Sequence, residues 1–76
     1  MMVASLEYIR TRRNLPFVKR GMRVCVDGQW GRITGGNGSG NLNVRFGGEN
    51  FSQNVHPWWH IQYFDKNGNL IKEFGD

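Results

Sequence analysis

The sequence predicts a mostly β domain: a small barrel of five to six short antiparallel strands with a short N-terminal helix or arm. Three observations carry this. Between Gly21 and Phe46 apolar and polar residues alternate with period 2, the pattern of strands with one buried face. Glycine-bearing turns punctuate the chain at Asp27-Gly28, Gly35 to Gly40, Gly47-Gly48 and Asn67-Gly68. A length of 76 residues allows one domain with a small core, to which ten aromatic side chains can each add a large buried area.

The first expected element is a helix over Ser5 to Asn14, opened by Ser5 or Ala4. Leu6, Ile9 and Arg13 fall on one face, with Tyr8 beside them. A helix this short is marginal unless it docks on the sheet. Arg10, Arg12 and Arg13 near its C-terminal end suit the helix dipole, and they equally suit a polyanion. The alternative is that the first residues form a mobile basic arm. Pro16 drives Leu15 out of helical conformation and ends the helix. Residues 1–16 are therefore read as the helix or arm and residues 17–76 as the barrel, with Leu15, Phe17 or Val18 anchoring the junction.

Three strands follow. Val24 and Val26 alternate with Arg23 and Cys25; Ile33 lies between Arg32 and Thr34; Leu42, Val44 and Phe46 alternate with Asn43 and Arg45. If the first hairpin turns through Asp27 to Trp30, Val24 falls opposite Ile33, Arg23 opposite Thr34 and Cys25 opposite Arg32. The other face then carries one arginine per strand, Arg23, Arg32 and Arg45. That face is either a solvated exterior or a binding surface. The loop from Gly35 to Gly40 reads as a flexible hairpin tip, with no lysine behind it to make a phosphate loop. A fourth strand is expected over Phe51 to Val55, with Phe51, Gln53 and Val55 on one face. His56-Pro57-Trp58-Trp59-His60 interrupts the alternation, and Pro57 suits the first position of a short helical turn. Ile61 to Phe64 and Asn69 to Phe74 close the chain as a hairpin through Asp65 to Gly68, with either Leu70 or Ile71 turned inward.

Chemistry is excluded more readily than it is found. His56 and His60 lack a third ligand at a supporting spacing, so no metal site is expected; His56 is expected to hydrogen-bond backbone at its turn and His60 to be half exposed. No oxyanion loop accompanies Cys25, and no carboxylate pair lies in an apolar stretch, so the chain reads as a non-enzyme without a cofactor. Cys25 is the only cysteine, which rules out an internal disulfide and fits a reducing cytoplasm. No apolar run approaches the roughly 20 residues of a membrane span, and no signal-peptide segment opens the chain.

Charge gives the direction for function. The net charge is +4, but residues 1–45 hold eight basic and two acidic side chains (+6) and residues 46–76 two basic and four acidic (−2). A basic half favours a polyanion through counterion release, or an acidic protein surface. The candidate phosphate contacts are Arg10, Arg12, Arg13, Lys19, Arg20, Arg23, Arg32 and Arg45, with Trp30 or Trp58 stacking a base. Trp30 is placed at a hairpin tip. Of the adjacent pair Trp58 and Trp59, one is expected to pack inward and the other to lie at the surface. The rival reading is a protein-interaction module docking through Trp58-Trp59 and the glycine loop. A homo-oligomer built on an open strand edge is a third possibility.

The pattern Gly21-x-x-Val24-x-Val26-x-Gly28-x-x-Gly31-x-Ile33, followed by Val44-x-Phe46, resembles the SH3-like barrels of the KOW and Tudor type, over about Val18 to Ile61. The His-Pro-Trp-Trp turn before a later strand is similar to the short helical turn of such barrels. The resemblance implies binding of RNA, ribosomal proteins or transcription machinery for the KOW type, and of modified peptides for the Tudor type. The chain departs from the Tudor pattern because no aromatic cage can be assembled. It departs from the KOW pattern in its shorter first turn and glycine-rich second loop. The general look is similar to small accessory proteins of bacteria and bacteriophages.

Overall fold

A computed structural model describes residues 6–75. The chain forms one short helix, α1 (Leu6–Arg12), and six strands: β1 (Arg23–Val26), β2 (Gln29–Gly36), β3 (Leu42–Phe46), β4 (Gln53–Val55), β5 (Ile61–Phe64) and β6 (Leu70–Phe74). The strands make one open antiparallel sheet in the order β4-β3-β2-β1-β5-β6. The mostly β class and the strand count are as expected. The sheet has two edges, β4 and β6, which do not pair with each other.

Helix α1 is a docked helix and not an arm. Ile9 and Leu6 are buried in the core, while the expected opening at Ala4 or Ser5 lies outside the described residues. The helix ends earlier than expected because Asn14 takes a left-handed conformation (φ 57°). The Leu15 amide then donates to the Arg10 carbonyl at 3.0 Å, a six-to-one closure that satisfies an orphan carbonyl and turns Leu15 into the core. Leu15 and Val18 are both fully buried, and Phe17 meets Tyr63 edge to face at 5.2 Å.

The β1–β2 hairpin corrects the expected register. Its loop is two residues, Asp27 and Gly28, both at positive φ (50° and 85°), the turn whose twist matches that of the strands. Arg23 therefore faces Arg32, Val24 faces Gly31 and Cys25 faces Trp30. Trp30 sits inside β2 and not at the tip. Since the slip is two residues, the faces are unchanged: Val24, Val26, Ile33, Val44 and Phe46 all enter the core.

Other differences have local causes. The loop expected to be a flexible tip is tied down: the Asn37 side chain donates to Asn43 Oδ1 and Asn54 Oδ1 and accepts from the amides of Ser39 and Asn41. Strand β4 is shorter than expected and leaves Phe51 exposed. Neither Leu70 nor Ile71 turns inward. A bulge between Tyr63 and Phe64 sets Leu70 against Phe64 on the outer face and leaves Ile71 unpaired. His56 to Trp59 is a hydrogen-bonded turn, and the expected bond forms from the Trp58 amide to His56 Nδ1 at 3.1 Å. His60 is half-buried, as expected.

Both tryptophans of the pair are exposed, Trp58 by 44% and Trp59 by 55%, so the expectation that one packs inward fails. Pro57 and Tyr63 fill the space instead. Tyr63 is fully buried and its hydroxyl donates to the Pro57 carbonyl at 2.7 Å. Burial pushes the Tyr63 phenol well above its ordinary value of 10. Because the folded state holds that proton more tightly, the associated stability is full below pH 10 and declines as pH rises beyond it. Tyr63→Phe is expected to cost about 1 to 2 kcal/mol at neutral pH by stranding the Pro57 carbonyl. It should also flatten the alkaline decline, measured by urea unfolding on both sides of pH 10.

Candidate functional site

The outer face of the sheet carries the site. Arg23 pairs with Arg32 across β1–β2, and Arg32 pairs with Arg45 across β2–β3. Three arginines thus stand side by side in one row, about 4.8 Å from strand to strand. All three are exposed. The arrangement follows from the sequence: alternation sends every second residue outward, and the two hairpin registers bring the three cations level.

Like charges directly opposite on a sheet oppose folding. None of the three forms an ion pair, since the sole ion pair among the described residues is Arg10 with Glu7, at 2.9 Å. Arg32 Nη1 donates to the Gly21 carbonyl at 2.9 Å, and Arg20 Nη1 donates to the Thr34 carbonyl. These bonds fix two guanidinium groups through uncharged acceptors and pair neither with a carboxylate. Arg45→Gln is accordingly expected to raise stability at low salt, by about 0.5 kcal/mol. Adding salt should erase the difference by screening the wild-type repulsion. Thermal melts of both chains at two ionic strengths check this.

The row lines an open hollow of about 680 Å³. Arg20, Arg23, Arg32 and Arg45 border it, with Trp30 at one side and Gly31, Gly47 and Gly48 in the wall. Trp30 is 52% exposed, and its ring reaches across β1 to Phe64 at 4.9 Å between centroids. The stack holds the indole while leaving much of it uncovered. Glu49, whose carboxylate accepts two bonds from Gln53 Nε2 at 3.0 and 3.1 Å, also lines the hollow.

A second hollow of about 710 Å³ adjoins the first, with Arg20, Gly21, Arg23 and Arg32 lining both. It adds Arg10, Lys19 and Lys66 to the basic lining and Phe17, Phe64 and Ile71 to the apolar lining. The two form one basic trough across the face.

The structure therefore brings together Arg20, Arg23, Arg32, Arg45 and Trp30, with Arg10 and Lys19 in the adjoining hollow. Within this group Arg10 is the most engaged, donating to Glu7 and, through Nε, to the Val18 carbonyl at 2.7 Å. The other three expected residues lie elsewhere. Arg12 is exposed on α1 and lines neither hollow. Arg13 donates to the Gly40 carbonyl at 2.9 Å and to Asn41 Oδ1, and its guanidinium lies over the Trp58 ring at 5.2 Å. Trp58 Nε1 returns a bond to the Arg13 carbonyl at 3.2 Å. Arg13 and Trp58 thus clamp the helix end to the glycine loop.

Sequence reasoning missed Lys66, Phe64 and Glu49. Lys66 belongs to the acidic half of the chain and reaches the trough only because β5 pairs with β1. Among the described residues no group of three or more His, Cys, Asp or Glu side chains could hold a metal ion, and no helix is long and apolar enough to cross a membrane. In comparisons with known proteins, no family model, curated protein or solved structure matches the chain significantly.

Proposed function

We propose that this chain is a non-catalytic nucleic-acid-binding module whose interface is the trough on the outer face of β1, β2 and β3. The observation that carries the reading is the in-register row Arg23, Arg32 and Arg45. A row of like cations without ion-pair partners lowers stability, so its presence is accounted for by an anionic partner that neutralises it. Trp30 beside the row adds a surface on which a base can stack. The resemblance to barrels of the KOW type supports the same direction, since members of that group bind RNA. A cytoplasmic setting, inferred from the lone Cys25, agrees with it.

The test is an amide NMR titration of the labelled chain with single-stranded DNA, duplex DNA and RNA at two salt concentrations. Salt-sensitive shifts centred on Arg23, Arg32, Arg45 and Trp30 are expected. Flat spectra at low salt with all three ligands would overturn the reading.

A second reading has its own observation. Arg13 joins the glycine loop to Trp58, and Trp58 and Trp59 are both exposed, so the surface expected for a protein partner is continuous. Under that reading nucleic-acid titrations stay flat. A pull-down then returns one saturable partner with the wild-type chain and loses it with Trp59→Ala.

A further inference from the structure

We infer that the trough takes a single strand of nucleic acid, with one unstacked base on Trp30 and the backbone crossing the arginine row toward Lys19 and Lys66. This rests on the nucleic-acid reading above and specifies its ligand. Three observations separate a single strand from a duplex.

The first is shape. Duplex readout uses a helix or ribbon that projects into a groove. Here the cations line a recess, and the Arg23–Arg32 row forms the shared wall between two hollows. A flexible single strand can follow such a floor, whereas a duplex presents a convex surface to it.

The second is Trp30. The indole is half exposed and braced from one side by Phe64. A duplex keeps its bases stacked on each other and offers the ring no base face. An unstacked base fits against it, and this contact accepts any base.

The third is the mixed lining. Glu49 stands in the same hollow as four arginines, with its carboxylate oriented by Gln53. A carboxylate repels a phosphate but can accept from a donor on the open Watson–Crick edge of an unstacked base, an exocyclic amino group or the N3–H of thymine. The first hollow, with Trp30 and Glu49, is therefore the base end. Asp65 lines the second hollow, but its carboxylate is taken up by the amides of Asn67 and Asn69 and by the Asn69 side chain; with Arg10, Lys19 and Lys66 and no tryptophan, this hollow serves the backbone.

The experiment titrates the intact chain with three probes at one low salt concentration: a ten-nucleotide oligothymidylate, a hairpin duplex and inorganic polyphosphate. Indole Nε1–H signals are read by NMR, with the Trp30 signal assigned from Trp30→Phe. The oligothymidylate is expected to bind at least tenfold more tightly than the hairpin and to move the Trp30 signal, while polyphosphate binds without moving it. Trp30→Ala should weaken the oligothymidylate about tenfold and leave polyphosphate unchanged. Equal binding of hairpin and oligothymidylate with a static Trp30 signal overturns the single-strand inference and leaves the nucleic-acid reading standing. Binding of none of the three overturns both. Since Trp30 is exposed, its replacement is not expected to unfold the chain, and the dispersion of the variant's amide signals reports that it has not.

Discussion

Changing Arg23, Arg32 and Arg45 together to glutamine is expected to lower affinity for a single-stranded oligonucleotide on the order of a hundredfold at about 50 mM salt. Each phosphate neutralised on a single strand contributes about 0.7 to the slope of log affinity against log salt. At that salt one contact is worth roughly five- to tenfold, so three amount to about a hundred- to a thousandfold if each is fully made. The slope itself should become shallower by about 2. Both quantities are read from fluorescence anisotropy at several salt concentrations. The same variant should melt close to wild type, because relief of the like charges in register offsets the loss of the Arg32 bond to the Gly21 carbonyl. Loss of affinity with retained or raised stability is the signature of a binding row. Unchanged affinity and slope would mean that the row is a solvated exterior, and the proposed interface would fall with it.

The arginine face was legible in the sequence because it depends on parity alone. Period-2 alternation fixes which residues share a face, and the two-residue slip between the expected and observed hairpin leaves that parity intact. What the sequence could not supply is which arginines stand level. That depends on loop length, and the two positive φ values at Asp27 and Gly28 shorten the loop. The wider site was hidden for a different reason. Phe64 braces Trp30 and Lys66 joins the trough only through the pairing of β1 with β5, residues far apart in the chain. No local pattern announces such a contact.

The tryptophan pair shows the limit of composition. Large aromatics suggest core, and one of Trp58 and Trp59 was expected there. The preceding proline is already buried and receives the Tyr63 hydroxyl, so the interior is filled on both sides of the turn. Arg13 was also misjudged by composition: its charge suggested a phosphate contact, yet its donors go to the glycine loop and its flat face to Trp58. A charge count cannot tell a guanidinium that holds a loop from one that waits for a ligand. Hydrogen-bond partners can.

Gly31→Val is expected to remove most of the chain's stability and lower its melting temperature sharply, the largest effect on stability of any single change considered. Gly31 lies on the core side of β2, opposite Phe46 and Val24. A Cβ placed there would come within 2.8 Å of Val44 Cγ1, 2.9 Å of the Arg45 carbonyl oxygen and 3.0 Å of Phe46 Cδ1. A side chain could rotate away, but the Arg45 carbonyl is backbone within β3 and can yield only if the strands separate. Overpacking of this kind costs about 1 to 3 kcal/mol, and a backbone clash lies at the upper end. A domain of this size has about 3 to 5 kcal/mol in all. Gly47→Ala is the control: a Cβ there meets nothing within 4 Å, so its melting temperature should stay near wild type. Circular dichroism and thermal melts of the two variants make the comparison. A Gly31→Val chain melting like wild type would mean that β2 and β3 sit farther apart than described. That spacing also sets Arg32 beside Arg45, so the glycine on one face is what permits the charged row on the other.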